Sequence, residues 1–485
     1  MQVYNERLRT TTTDIFVDVR PPSLTFVRYL TMAHDKSASE RMEKIVSLCK
    51  RRGFIFQSSE IYGGLNGCWD YGPLGAELKR NLKDFWWRRM VRERDDVVGM
   101  DGSILMNRQV WVASGHEATF TDPMVDCRNC RSRFRADQLP EKNGRKQCVV
   151  CGSYDLTEPR AFNLMFKTYV GATEDESAVT YLRPETAQAI FVQFKNILEV
   201  SRKKLPFGIA QVGKAFRNEI NPRNFTFRSR EFEQMELEYF CRPDQGLELL
   251  EYWLNERLRF YSDIGISSDL LPVHKIPPEE CAHYSKGTYD IEFQFPFGVQ
   301  ELEGVAYRTD YDLTQHQKAS GKPLEYFDEE TKQHFIPHVV EPSAGVDRTV
   351  LALICAAFAE EQVTDEKGKT EIRTVLRFHP RVAPIKCGIF PLLKNNERLV
   401  RQAREIVDLL RPQMMVFYDE SGAIGRRYRR QDEAGTPFGV TVDFDTIGEN
   451  GPLNEGTVTM RERDSMKQER IAVAEIKSFL LEKIS

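Results

Sequence analysis

Residues 207–217, FGIAQVGKAFR, and residues 231–240, EFEQMELEYF, are two strand-like runs on either side of a polar stretch. That stretch, Ile220–Arg230, contains Asn221-Pro222, a turn-forming pair, so the runs read as the arms of a long-looped hairpin. Alternate side chains of a strand point to opposite faces. The second arm therefore sets Phe232, Gln234, Glu236 and Glu238 on one face and Met235, Leu237 and Tyr239 on the other. Two carboxylates share a face with an aromatic ring. The turn carries Phe216-Arg217-Asn218-Glu219 at its start and Arg223, Arg228 and Arg230 further on. Arginine forks match phosphate oxygens bidentately and an aromatic face stacks on a base. Taken alone, an arginine-rich turn more often reads as a solvated loop.

Downstream, Glu341-Pro342-Ser343-Ala344-Gly345-Val346-Asp347-Arg348 leads into an apolar helix from Thr349. A glycine at a strand-to-helix turn permits close backbone approach. Arg348 in the first helical turn runs against the helix dipole, which favours anions there and points to a ligand need. A helix start with a stray arginine is the bland alternative. Upstream, Leu74, Leu78, Leu82, Phe85, Trp86 and Met90 recur at three- and four-residue steps among basic residues, predicting an amphipathic helix over Leu74–Val91. A helix over Glu40–Lys50 precedes it. Cys127, Cys130, Cys148 and Cys151 form C-x2-C-x17-C-x2-C, the spacing of a four-thiolate zinc ribbon, inside an apolar-poor insertion. With four sulfurs the coordination shell is closed to a catalytic water, so the metal is structural; free thiols or two disulfides are the alternatives. Glu361–Lys369 reads as a charged connector. Beyond Pro380 short helices alternate with strands such as Met414–Tyr418 and Gly439–Asp443, a separate α/β domain.

The length of 485 residues, three times a typical domain, predicts two to four domains. Hydrophobic residues at 41% and charged ones at 29% place the chain among packed globular proteins. A net charge of −4 means that nucleic acid must be met by local basic surface rather than by the whole-chain field. No apolar run reaches the length of a membrane span. Ten cysteines, far below disulfide-scaffold density, predict a reducing cytoplasmic setting. Residues 1–31, with four arginines, three acids and Thr10–Thr13, predict a disordered extension, and Met32 is a possible start. Neither G-x4-G-K-[S/T] nor G-x-G-x-x-G occurs, so a nucleotide is held by neither a P-loop nor a Rossmann turn.

The hairpin with Phe-Arg-x-Glu resembles motif 2 of class II aminoacyl-tRNA synthetases, Gly345-Val346-Asp347-Arg348 resembles motif 3, and the long helix before Asp101-Gly102-Ser103 resembles the dimer-forming motif 1. Within that class the chain is similar to the bacterial-type dimeric glycyl-tRNA synthetases. The resemblance is carried by Ile61–Gly67, Asp70–Gly75, Ser114–Phe120, Tyr181–Gln188, Glu231–Glu236 and Glu341–Gly345, in motif order from about Arg41 to the C-terminus. It implies an α+β protein: a class II antiparallel sheet flanked by helices (residues 32–370), a zinc-ribbon insertion (125–155) and a C-terminal α/β anticodon-binding domain (371–485). It implies that glycine is joined to tRNA(Gly) through a glycyl-adenylate made from ATP with Mg²⁺, in a homodimer with structural Zn²⁺ and neither membrane nor DNA as partner.

The resemblance also implies roles. Arg217 clamps the α-phosphate and the glycine carboxylate, Phe232 and Arg348 sandwich the adenine, Arg228 meets the β/γ-phosphates and Glu219 the adenine amino group. Asn218, Phe227, Leu302, Gly345, Val346 and Asp347 complete the ATP site, with Glu301 as the Mg²⁺/ATP contact, not separable from Glu303 by sequence. Glu185, Glu236 and Glu341 take the glycine ammonium beside Gln234 and Ser343, and Arg308 with Arg108 holds the carboxylate side. Apart from the resemblance, Arg426, Arg427, Arg429 and Arg430 form a local basic cluster that suits tRNA, with a solvated charged face as the alternative, and the place of the ribbon between catalytic segments suggests an approach to the acceptor stem. Two rivals share the motifs. A catalytically dead relative, like the accessory subunit of mitochondrial DNA polymerase, is expected to lack the ATP arginines and the ammonium acids present here. A threonyl or prolyl enzyme shares motifs 2 and 3, but a threonyl enzyme needs an open zinc site, which four cysteines exclude.

Overall fold

The computed structural model describes residues 27–364, 368 and 370–484, with side chains from Ser39 onward. The first helix, α1, spans Val27–Arg52, so it begins well before Glu40 and takes in the last five residues assigned to the extension. Residues 1–26 lie outside the described residues. The predicted amphipathic helix is α2, Pro73–Trp87, with Pro73 in its first turn, where a missing N–H costs nothing; Arg88–Arg92 continue as one π-turn.

A seven-stranded sheet is built from β1 (Val97–Gly99), β2 (Phe207–Phe216), β3 (Glu231–Cys241), β4 (Val273–Lys275), β5 (Gly287–Phe295), β6 (Gly298–Thr309) and β7 (His338–Gly345). Its order is β4-β5-β6-β7-β3-β2-β1; β1 joins in parallel and the other neighbours are antiparallel. The hairpin arms are β2 and β3, with Gln211 opposite Glu236 and Phe216 opposite Glu231. Met235, Leu237 and Tyr239 join the main core with residues of α2, α6 (Gly246–Asp263) and α8 (Val346–Ala357). On the other face α5 (Ala187–Ser201) covers one end, packing Ile190, Phe191 and Phe194 on Phe207, Ile209 and Phe240. The rest of that face is left for the site.

The pairing of β5 with β6 slips at Ile291/Glu292, so Glu303 lies opposite Ile291 and Glu301 opposite Glu292. A bulge re-aims side chains. Glu303 therefore turns into the core, fully buried and 2.6 Å from Arg257 of α6, while Glu301 faces outward near Arg348. That separates two glutamates the sequence left equivalent.

Of the connector expected over Glu361–Lys369, Glu361–Thr364 belong to a two-stranded ribbon, β8 (Phe358–Thr364) with β9 (Thr370–Leu376), because Gln362 and Val363 pair with Ile372 and Glu371. Residues 365–367 and 369 are outside the described set. The ribbon crosses the boundary drawn at 370, and buried Arg373 joins it to Asp432 at 2.8 Å. Beyond it, β10 (Cys387–Pro391), β11 (Val416–Tyr418), β12 (Phe438–Val442), β13 (Thr457–Glu462) and β14 (Gln468–Ala472) form a sheet in the order β11-β10-β12-β13-β14. It has its own core with α9 (Glu397–Leu410) and α11 (Val473–Ile484). The cysteine insertion is wider than 125–155: strand Thr121–Asp126 pairs with both Arg133–Arg135 and Arg160–Asn163.

Breaking one side of a buried ion pair strands the other charge, at about 3–5 kcal/mol. Glu303→Ala is accordingly expected to lower the thermal unfolding midpoint by several degrees, and Glu301→Ala to leave it nearly unchanged. Equal shifts for the two in a calorimetric scan contradict the assignment.

Candidate active site

The hairpin turn folds back over the site face because Arg230 ties it down. Its backbone N–H and Nη1 donate to Gly67 O and Asn66 O at 2.7 and 2.6 Å, and its Nη2 to Glu219 O at 2.9 Å. Beneath the turn a cleft is lined by Arg217, Glu219, Phe227, Arg228, Phe232 and Arg348, and it continues past Glu301, Leu302, Gln234, Ser343, Gly345 and Asp347. The guanidinium of Arg217 lies between two rings, 5.3 Å from Phe232 and 5.4 Å from Phe120, and its Nε donates to Pro184 O at 3.0 Å. Arg348 stands 4.6 Å over Phe227 and 3.4 Å from Glu301. Burial, with Arg217 and Arg228 nearby, makes its positive charge harder to hold despite Glu301. An arginine so placed is stabilised by an arriving anion or an electron-rich ring.

Not every residue expected here lines the cleft. Val346 is fully buried in the core, and Asn218 serves through its backbone N–H, 2.6 Å from Leu164 O. The Asp347 carboxylate accepts from Tyr71 Oη, Lys79 Nζ and the Glu233 N–H at 2.6–2.8 Å, so it locks the start of α8 to α2 and β3. Gly345 has φ −76, so its backbone is open to any residue; what its missing side chain leaves free is room beside Arg348.

Next to the cleft lies a buried acidic group. Glu236 on β3 accepts from Thr186 N–H at 3.0 Å, Thr186 Oγ1, Gln234 Nε2 at 2.8 Å and Ser343 Oγ at 2.8 Å. Gln234 Oε1 is buried without a donor. Arg308 donates to Glu341 at 2.9 and 3.1 Å and to Asp312 at 2.9 Å, which makes it the cross-link between two acids. Arg108 is paired with Glu117 at 2.5 Å and Glu176 at 3.3 Å. Gln188 Nε2 bridges Glu185 and Asp312, 3.0 Å from each.

The three glutamates of this group differ electrostatically. Burial, then Glu341 and Glu185, push Glu236 up to about 7. Burial also raises Glu341, against the pull of Arg308. Burial pushes Glu185 the same way, but His116, together with Arg308 and Gln188, holds it well below the usual carboxylate range. Glu238, fully buried with neither oxygen hydrogen-bonded among the described residues, is raised by burial and by Glu341, against the pull of Arg308.

Three contributors were missed by sequence reasoning. After α3 (Arg108–Ala113), the four-residue helix α4 (His116–Thr119) and its C-cap Phe120 bring His116 to Glu185 and Phe120 to Arg217. The Ser114–Phe120 stretch stood out only as a family segment; the signal for a role was a histidine and an aromatic four residues apart. Arg183 was missed too: fully buried, it donates to Lys214 O and Gly102 O at 2.7 Å, and a Cβ on Gly213 would sit 2.2 Å from its Nη2. Glycine at 213 is what lets it reach.

The four cysteine sulfurs lie within 4.8 Å of one another, with Cys127–Cys151 and Cys130–Cys148 at 3.6 Å, all as free thiols. Sulfurs about 3.8 Å apart are what a tetrahedral shell with metal–sulfur bonds of about 2.3 Å requires, so the set is metal-capable. In the C-terminal domain the expected basic cluster on α10 (Ile424–Ala434) is largely structural. Arg427 is buried on Pro391 O and Gly422 O, Arg430 pairs with Asp419 at 2.6 Å and Arg429 with Glu371 at 2.5 Å. Arg426 has no acidic partner among the described residues.

Residues 166–357 match the class II tRNA synthetase core domain (G, H, P, S and T), and residues 386–483 match the anticodon binding domain. The chain is 52% identical over 463 residues to the glycine–tRNA ligase of Thermobifida fusca, covering 92% of this chain and 99% of that one. It is 54% identical over 437 residues to the glycine–tRNA ligase of Treponema denticola, 90% and 95% covered. With that of Streptomyces coelicolor the identity is 50% over 463 residues, 92% and 99% covered.

Proposed function

The chain belongs to the glycine–tRNA ligase family, class II synthetases that aminoacylate tRNA(Gly), and from that membership we propose how its residues divide the work. The observation that carries the reading is that the arginines and ring of the cleft open onto Gln234 and Ser343, both hydrogen-bonded to Glu236, so nucleotide and amino acid meet in one continuous space.

In the first step a carboxylate oxygen of glycine attacks the α-phosphorus of ATP, the bond to the bridging oxygen breaks and pyrophosphate leaves. In the second a ribose hydroxyl at the tRNA 3′ end takes the glycyl group and AMP leaves. No enzyme nucleophile is needed, so catalysis is positioning plus stabilisation of charge on phosphoryl oxygens. Arg217, held between Phe120 and Phe232, supplies that stabilisation at the α-phosphate. Phe232 and Arg348 enclose the adenine, Glu219 receives its amino group, and Arg228 turns from Glu219 to the outer phosphates. Glu301 at the rim is the carboxylate available to magnesium arriving with ATP, which offsets phosphate charge, since Glu303 is committed to Arg257.

Glycine's ammonium is read by Glu185, Glu236 and Glu341, with Gln234 Oε1 and Ser343 Oγ beside them. Arg308, between Glu341 and Asp312, fixes the wall. Acids packed this tightly reject a side chain by clash, a cheaper discrimination than editing. Cys127, Cys130, Cys148 and Cys151 hold zinc as a structural cross-link of the insertion, remote from the reaction steps. Two chains associate through the α2 and β1 side of the sheet, where β1 is an edge strand, and the enzyme works in the cytoplasm. The C-terminal domain meets the tRNA anticodon, with Arg426, which has no acidic partner among the described residues, on α10.

ATP–pyrophosphate exchange tests the core of this. Glycine is expected to support exchange and alanine, serine, threonine and proline to give little; Arg217→Ala is expected to lower the rate at least about 100-fold, the scale of losing one charge-stabilising donor. Exchange that survives the substitution removes Arg217 from the step.

The raised Glu236 sets a pH dependence. Below about 7 it takes up a proton and offers the ammonium less charge, so KM for glycine is expected to fall as pH rises from 6 to 8 and then level, with KM for ATP nearly flat. A glycine KM that is unchanged over that range counts against the role given to Glu236.

Native mass spectrometry tests the assembly: a mass of two chains carrying two zinc ions is expected, and a metal-free or single-chain species that is fully active refutes the corresponding part.

A further inference from the structure

Two buried arginines of this protein are matched to acids that stay in place: Arg257 to Glu303 at 2.6 Å, and Arg308 to Glu341 and to Asp312 on α7 (Tyr311–Ser320), both at 2.9 Å. Arg228 is different. It lies 3.4 Å from Glu219, and the reading above sends it from there to the outer phosphates of ATP. Glu219 is buried, so its charge is then left without a cation in a place that water does not reach freely. A second acid stands behind it.

That acid is Asp122, on the strand Thr121–Asp126 of the cysteine insertion. It is buried too, and both Glu219 and Arg228 are close enough to act on its charge: burial raises its carboxyl, Arg135 pulls it back and Glu219 adds to the rise. Arg135 Nη1 stands 2.9 Å from Asp122 Oδ2, yet that oxygen has no aligned hydrogen-bond donor among the described residues, so the contact is one of charge. On its other side Arg135 donates to Asp137 at 3.1 and 2.7 Å. Those bonds strengthen its hold on its proton against burial, and the charges of Asp122, Asp137 and Glu219 add to the effect.

Insertion and hairpin turn are also tied directly. Asn218 N–H donates to Leu164 O at 2.6 Å, and Asn221 Nδ2 donates at 3.2 Å to Arg133 O, on the strand that carries Arg135. Charges therefore run from insertion to cleft as Asp137, Arg135, Asp122, Glu219 and Arg228. With Arg228 on Glu219, two cations face three acids; once Arg228 turns away, Arg135 is the one cation left among the five. Carboxylates gathered in a buried place resist ionising together unless a counter-charge is at hand.

We propose that Arg135, on the cysteine-bearing insertion, is a positioning residue for nucleotide binding: it is the counter-ion that lets Asp122 and Glu219 stand together when Arg228 leaves Glu219 for the phosphates. This rests on the nucleotide site proposed above. Other cations nearby are committed elsewhere. Arg133 and Arg160 share Asp126, and Lys146 donates to Ala136 O. Arg230 spends its guanidinium on Asn66 O and Glu219 O, and Arg348 stands over Phe227 beside Glu301. Arg135 thus acts on ATP through Glu219 and Arg228 and touches no substrate itself.

The test measures ATP KM and glycine KM in pyrophosphate exchange for wild type, Arg135→Gln, Asp122→Asn, the double variant Arg135→Gln/Asp122→Asn, and Arg228→Gln, with zinc content read by native mass spectrometry as the check that the insertion is folded. Arg135→Gln is expected to raise ATP KM about fivefold and to leave glycine KM within about twofold. Asp122→Asn alone, and the double variant, which removes the acid that needs the counter-ion, are expected to show ATP KM within about twofold of wild type. A wild-type ATP KM in Arg135→Gln overturns the proposal, as do equal rises in both KM values. So does a double variant no better than Arg135→Gln, because a packing role is not restored by neutralising Asp122. If Arg135→Gln loses its zinc, the double variant decides: zinc kept with ATP KM near wild type supports the charge role, and zinc lost or ATP KM raised overturns it. If Arg228→Gln leaves ATP KM unchanged, the nucleotide reading itself has failed and takes this proposal with it.

Discussion

The pairing of β3 with β2 on one side and β7 on the other is the constraint on which the site depends. Gln211 opposite Glu236 and Glu236 opposite Ser343 bring three polar side chains onto one face, and the intervening Met235 and Leu237 go to the core. A slip of one residue would exchange those faces. Burying Glu236 and Glu238 where Met235 and Leu237 now sit would leave charges against α2 and α8 with no donors, so the apolar pattern of β3 holds the register and the register holds the site. Around it the fold adds local ties: Gln211 joins Thr186 O to Gly102 N–H, and Arg183 joins Gly102 O to Lys214 O.

Held this way, the acids form a graded set rather than a uniform patch. Arg308 satisfies Glu341 and Asp312, Glu236 collects four neutral donors, Glu185 faces His116, and Glu238 has nothing. Since low polarity magnifies both attraction and the penalty for an unpaired charge, the partner of each acid decides whether it is ionised. The nucleotide side uses the opposite sign: Arg217, Arg228 and Arg348 gather around the cleft, close enough that burial and mutual repulsion weaken the hold of Arg348 on its charge. A bound polyanion relieves that repulsion, so the cleft is built for occupancy.

Much of this was legible before any coordinates. The hairpin limits, the faces of β3, the four-cysteine spacing and the strand-to-helix turn at Gly345 follow from local pattern, because alternation and turn chemistry act over a few residues. The extent of α1, the ribbon hidden in a charged connector and the fate of the α10 arginines did not. The ribbon and Arg429 depend on partners far along the chain, Arg373 with Asp432 and Arg429 with Glu371, and Arg430 turns back to Asp419 across the loop before its helix. A charged residue reads the same in sequence whether it faces water or an acid.

Sequence by itself determined the family, the motif order, the site-bearing face of β3 and the metal-capable cysteines, since these rest on residue type and short spacing. Tertiary structure alone decided that Glu301 opens to the cleft while Glu303 is buried, because a bulge in β5–β6 turns them apart. It decided that Arg308 sits between Glu341 and Asp312 and that Arg108 pairs with Glu117. It also brought His116 to Glu185, 69 positions along the chain. Pairing of charges is a matter of distance in space, and sequence spacing carries no record of it.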